Sequence, residues 1–79
     1  MRDVQPPITS EQELVGYRAG LARLNDVVVV REQALFASLH DPERVEHARQ
    51  ELYRIYRKRQ GILDAIAVYE RQKAAQQSA

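Results

Sequence analysis

His40-Asp41-Pro42 divides the chain into two halves of similar length. The Asp41 side chain can accept hydrogen bonds from the first backbone N–H groups of a following helix. Pro42 suits the first helical position, because the N–H that proline lacks is not needed there and its φ is preset. This is the strongest local signal in the chain. It predicts a turn at residues 40–41 between two helices.

The segment before this turn has the apolar spacing of one long helix, which we expect to span residues 11–39. Its apolar residues recur every three, four or seven positions: Leu14, Tyr17, Leu21, Leu24, Val28, Leu35 and Leu39. Ser10 and Glu13 have the Ser-x-x-Glu spacing of a capping box, in which each side chain satisfies a backbone N–H at the helix start. Residues 1–9 carry two prolines and no periodicity. They are expected to form a flexible, extended arm.

A second apolar stripe follows the turn and predicts a helix over residues 42–73. Its members alternate in spacings of three and four, apart from a break at Arg59: Val45, Ala48, Leu52, Ile55, Ile62, Ile66 and Tyr69. Gly61 comes just after a basic run and could end this helix. No capping residue follows to begin a third helix, so a continuous helix is favoured. Residues 75–79 are expected to fray.

So short a connection forces the two helices to lie antiparallel, which sets residues whose numbers sum to about 81 side by side. Val28 then meets Leu52, and the apolar positions of the two stripes agree along their whole length. Gly20 falls opposite Gly61, which would let the two backbones approach closely or mark a bend. The predicted fold is an all-α, coiled-coil-like antiparallel hairpin over residues 10–74.

Val27-Val28-Val29-Val30 adds a prediction about association. Four consecutive residues cover roughly 300° of a helix surface, more than one partner helix can bury. If Val28 faces the second helix, a separate apolar stripe lies on the flank of the first: Gly20, Val27, Val30, Ala34 and Ala37. These residues are predicted to bind a partner, either a second copy in a four-helix bundle or a helical protein. A strand at the valines is the alternative, but no other segment could pair with it.

Composition argues against several other classes of function. The 79 residues include no cysteine, which excludes disulfides and thiolate metal sites and favours a reducing, cytoplasmic compartment. The start of the chain lacks a signal-peptide core, and no apolar run is long enough for a bilayer. No glycine-rich phosphate loop or activated nucleophile is present. We therefore expect no enzyme activity, cofactor, metal, small-molecule ligand or membrane partner.

A basic segment of the second helix predicts an alternative function. Arg54, Arg57 and Lys58 share one helix face with Tyr53 nearby, a combination suited to phosphate contact and base stacking. The protein would then be a dimeric bundle like the RNA-binding protein Rop, with this face on RNA or DNA. The competing interpretation is a solvated surface partly neutralised by acidic residues. A formal charge of only +1 favours the latter.

The Asp41-Pro42 turn and the alanine-rich segment Leu63-Asp64-Ala65-Ile66-Ala67-Val68 carry a family resemblance. In these two features the chain resembles small helical hairpins of bacterial type III secretion, especially the needle co-chaperones. It departs from them in carrying many more arginines in the second helix. The resemblance implies a non-enzymatic cytoplasmic adaptor or co-chaperone that keeps an aggregation-prone export partner soluble.

Overall fold

The computed structural model describes residues 3–77, and these residues form two helices joined by a short turn. Helix α1 spans Glu11–Ala37 and helix α2 spans Pro42–Gln77. Ion pairs join the start of α1 to the end of α2, Glu11 to Lys73 and Arg18 to Glu70, so the helices are antiparallel. The predicted all-α hairpin is confirmed. The valine run is helical, and no strand occurs within the described residues.

Helix α1 ends at Ala37, two residues before the predicted end at Leu39. The Ser38 hydroxyl donates to the Ala34 carbonyl at 2.8 Å, and the Ser38 N–H donates to the Leu35 carbonyl at 3.0 Å. These bonds satisfy carbonyls that the end of a helix leaves free and tighten the chain into a turn. The connection therefore occupies residues 38–41, and Leu39, expected on the buried stripe, is 64% exposed.

The start of α2 follows the predicted capping. One carboxylate oxygen of Asp41 accepts hydrogen bonds from the N–H groups of Glu43 at 3.1 Å and Arg44 at 3.4 Å. The helix then runs without interruption through Gly61 to Gln77, four residues past the predicted end. The predicted frayed segment is therefore helical over residues 75–77, and its last two residues lie outside the described part of the chain.

The cap of α1 differs from the predicted capping box in one bond. The Ser10 hydroxyl accepts from the Glu13 N–H at 3.2 Å, as expected. The Glu13 carboxylate reaches Thr9 instead of Ser10, accepting from the Thr9 N–H at 3.2 Å and its hydroxyl at 2.8 Å. Two residues before the helix are therefore anchored to its first turn.

Residues 3–9 pack against the hairpin, which corrects the prediction of a free arm. Ile8 is only 4% exposed and belongs to the main core cluster. The Tyr17 hydroxyl donates to the Pro6 carbonyl at 2.8 Å, and the Asp3 N–H donates to the Arg57 carbonyl at 3.4 Å. The segment is extended as predicted, but these bonds and the burial of Ile8 hold it on the helices.

The core lies between the helices and extends towards the end of the hairpin opposite the turn. Leu14, Ile62 and Ile66 form a cluster with Ile8, and Tyr17, Leu21, Leu24, Ala65 and Tyr69 pack against it. Val28 and Leu52, predicted to face each other, are both 4% exposed. The molecule measures 57 × 22 × 17 Å, close to the thickness of two helices side by side. None of the helices in residues 3–77 is long and apolar enough to cross a membrane.

Candidate protein-interaction surface

The four consecutive valines show how the surface of α1 is divided. Val28 is 4% exposed because it faces α2, whereas Val27, Val29 and Val30 are 40%, 54% and 62% exposed. Successive residues turn by about 100°, so a helix that buries only one direction must expose the others. Helix α1 is thus apolar on more than one side, and its only helical neighbour in the described structure covers one of them.

The stripe predicted to bind a partner lies on the solvent side of α1. Val30, Ala34 and Ala37 are exposed, and Gly20 is half-buried. A Cβ atom added at Gly20 would meet nothing within 4 Å, so packing at Gly20 does not require a glycine. The five residues share a face, as expected. Their role in binding stays a prediction.

A second apolar line on α1 escaped the sequence prediction. Val15, Ala22, Val29 and Phe36 are spaced by seven residues, and we call them the heptad seam. Val15 and Phe36 are 66% and 67% exposed, and Ala22 is also exposed. Seven residues make nearly two helical turns, so all four lie along one side. The seven-residue spacing is present in the sequence, but the apolar stripe that faces α2 has more residues and masks it.

The predicted nucleic-acid face is only partly available. Tyr53, Arg54 and Lys58 are exposed, and the Arg54 guanidinium lies 3.8 Å from the Glu51 carboxylate. Arg57 is half-buried, and its Nε is buried without a hydrogen-bond partner. The arm lies beside it, because Asp3 bonds to the Arg57 carbonyl. One of the three predicted cations is therefore partly withdrawn from solvent.

The surface of the described residues has several concave regions. One cavity of about 270 Å³ lies between the arm and α2. Its lining residues include Val4, Pro7, Gly61, Ala65 and Val68. Another, of about 350 Å³, lies near the turn between Arg31, Ala34, Arg44 and His47. Within residues 3–77, no three acidic or histidine side chains are grouped so that they could hold a metal ion.

Three side chains at the end of the hairpin opposite the turn have shifted pKa values. A hydrogen bond from Lys73 lowers the pKa of the Glu11 carboxyl, and the same bond raises the pKa of the Lys73 ammonium. Partial burial raises the pKa of the Tyr69 phenol, and the Glu11 charge adds to this effect. The first two shifts come from an exposed ion pair, a structural link between helices that needs no catalytic role.

The chain matches no family model, no curated protein and no solved structure.

Proposed function

We propose that this chain is a protein-interaction module that binds a helical partner through the solvent side of α1. The observation that carries the proposal is the exposure of large apolar side chains on that side, above all Val15, Val29, Val30 and Phe36. Single exposed apolar residues are normal on protein surfaces, but contiguous ones mark interaction sites. These four are joined along the helix by exposed alanines at positions 19, 22, 34 and 37.

The energetic balance of a small chain supports this function. Burying one valine or phenylalanine contributes about 1.5–3 kcal/mol, and a domain of this size has only a few kcal/mol of net stability. Among the described residues six apolar residues are buried, each 4–8% exposed, and most of the apolar side chains of α1 lie outside that group. A partner that covered the exposed side of α1 would therefore add substantially to the stability of the folded chain in the complex.

A more specific form of the proposal is an adaptor or co-chaperone in a secretion or assembly system. The resemblance in Asp41-Pro42 and in residues 63–68 supports this form. Such a protein acts by covering an apolar segment of a client. The exposed apolar side of α1 could cover such a segment. In this form the client is an apolar helix that aggregates when unbound. Added hairpin would keep it in solution at a one-to-one ratio, whereas a hairpin with Val29→Glu and Val30→Glu would not.

Site-specific photo-crosslinking in the native cell tests the proposed function. A photo-reactive phenylalanine analogue at Val29 or Val30 should give one discrete adduct, because the long side chain of the analogue can reach a helix bound along either valine's side of α1. The analogue at Gln50, an exposed residue of α2, is the matched control and should give none. Absence of a discrete adduct at both valines would show that this side of α1 is not an interaction surface.

A further inference from the structure

We propose that the occupant of the heptad seam is a second copy of this chain, with the two α1 helices antiparallel. This inference rests on the proposed function and specifies its partner. The two-fold axis passes between residues 25 and 26, so facing residues have numbers that sum to 51. Val15 then packs on Phe36 of the other copy, and Ala22 packs on Val29. Both pairings occur twice in the dimer, because the interface is isologous.

Side-chain sizes favour this direction over the parallel one. In the antiparallel pairing each large residue faces a smaller one, Phe36 against Val15 and Val29 against Ala22. A parallel dimer would set Phe36 against Phe36 and Ala22 against Ala22, which leaves one level crowded and another underfilled. Helical interfaces fill space best when large and small residues alternate across the contact. The exposed seam therefore has the composition expected of an antiparallel contact.

The charges beside the seam favour the same direction. In an antiparallel pair each side of one helix meets the same side of the other, which brings Arg18 within one residue of the level of Glu32 of the other copy, twice. Arg18 already pairs with Glu70 of its own chain, and Glu32 would add a second carboxylate beside it. In a parallel pair Arg18 would lie beside Ala19 and Glu32 beside Gln33, with no opposite charges facing. Asp26 comes nearly level with its own symmetry mate near the axis, where Arg23 of the other copy lies about two residues away along the helix and can neutralise it.

The absence of cysteine from the sequence allows a disulfide test of this arrangement. We would mix Val15→Cys and Phe36→Cys proteins, one carrying a tag that changes its mass, and oxidise them. Antiparallel pairing should give the mixed disulfide as the main product, because same-residue pairs would be about 30 Å apart along the helix axes. Gln50→Cys on α2 is the control and should remain reduced. Disulfides mainly between identical positions would overturn the antiparallel arrangement.

Substitutions at two adjacent valines can distinguish the heptad seam from the stripe predicted by the sequence. Val29 belongs to the seam and Val30 to the stripe, and their exposures are similar, 54% and 62%. In sedimentation equilibrium we expect Val29→Glu to raise the dimer dissociation constant at least about a hundredfold, and Val30→Glu to change it less than about threefold. Circular dichroism would verify that both variants remain helical. A larger effect of Val30→Glu would overturn the seam.

The outcomes also separate this inference from the proposed function. A wild type that sediments as a monomer at high micromolar concentration would overturn the second copy as occupant. If photo-crosslinking at Val29 still gave an adduct with a different protein, the interaction surface itself would stand. An adduct of twice the mass of the chain, together with the mixed disulfide, would support both. If neither the adduct nor the mixed disulfide formed, both the second copy as occupant and the proposed function would be overturned.

Discussion

Asp41 is the residue on which the start of α2 depends. Its carboxylate accepts from two backbone N–H groups that a helix start would otherwise leave free. We expect Asp41→Ala to lower the free energy of unfolding by about 1 kcal/mol, whereas Asp41→Asn keeps an acceptor and should cost much less. Urea denaturation followed by circular dichroism would measure both. Equal losses in the two variants would assign the effect to charge and not to capping.

Gly61 is needed for the arm and not for the helix. A Cβ atom at this position would lie 1.7 Å from the Asp3 carbonyl oxygen, well inside van der Waals contact. Backbone atoms of the arm would have to move, because the two atoms that the Cβ would meet within 3.0 Å are the carbonyl oxygen and carbon of Asp3. We expect Gly61→Ala to release residues 3–7 from α2 and to abolish hydrogen-exchange protection of the Asp3 amide.

Gly16→Ala is the matched control for this substitution. Gly16 lies in α1, and an added Cβ would meet nothing within 4 Å. Alanine at an open helical position should stabilise the chain by roughly 0.8–1 kcal/mol. Gly61→Ala should stabilise it less, because the gain in helix propensity is offset by lost contacts of the arm. Equal stabilisation, with the Asp3 amide still protected, would contradict the role assigned to Gly61.

At the scale of elements, the ends of α1 and α2 are tied by exposed ion pairs. The lowered pKa of Glu11 means that its contribution to stability is present above its ordinary pKa and is lost as the pH falls through the folded value. The raised pKa of Lys73 means that its contribution is present below its ordinary pKa and is lost as the pH rises through the folded value. The pair should therefore contribute fully between about pH 5 and pH 10.

Lys73→Gln tests this pH dependence. The contribution of Glu11 should fall, so the urea midpoint of the variant should decrease less than that of the wild type when the pH is lowered from about 6 to 3. High salt should reduce the difference, because both side chains are largely exposed. Lys58→Gln, a change at an exposed lysine in the middle of α2, is the control. Identical acid profiles for the wild type and Lys73→Gln would contradict the assignment.

The elements themselves were largely predictable. The three- and four-residue spacing, the Ser10 cap and Asp41-Pro42 are local signals, because helix formation depends on residues within one or two turns. The errors lie at the helix ends and in the first ten residues. Ser38 closes α1 early through its own hydrogen bonds, and α2 continues through residues 74–77, which are rich in alanine and glutamine, both good helix formers.

At the scale of the whole molecule, the two function classes predict different responses to nucleic acid. Arg57 is half-buried and Arg54 lies close to Glu51, so the basic face offers fewer free charges than its sequence suggests. We expect no measurable binding of a generic RNA at about 150 mM salt, and only weak, steeply salt-dependent binding at low salt. Fluorescence anisotropy would measure this. Micromolar binding at moderate salt, lost in Arg54→Gln with Lys58→Gln, would favour the Rop-like alternative.

The sequence alone determined two helices, the turn between them and the side of α1 that faces α2, because each of these depends on local spacing and capping. It also indicated that α1 has more apolar surface than one helix can bury. Val28 and Leu52 were placed correctly on this basis.

Only the tertiary structure decided where the arm lies and which apolar residues remain exposed. Ile8 shares a core cluster with Ile62, and Asp3 lies over Gly61. Each pair is separated by more than fifty residues in the chain, and no local pattern encodes proximity at that separation. The heptad seam became distinct from the buried stripe only when the rotation of α1 relative to α2 was known. Periodicity specifies which residues share a side of a helix. Packing between helices decides which side is left for a partner.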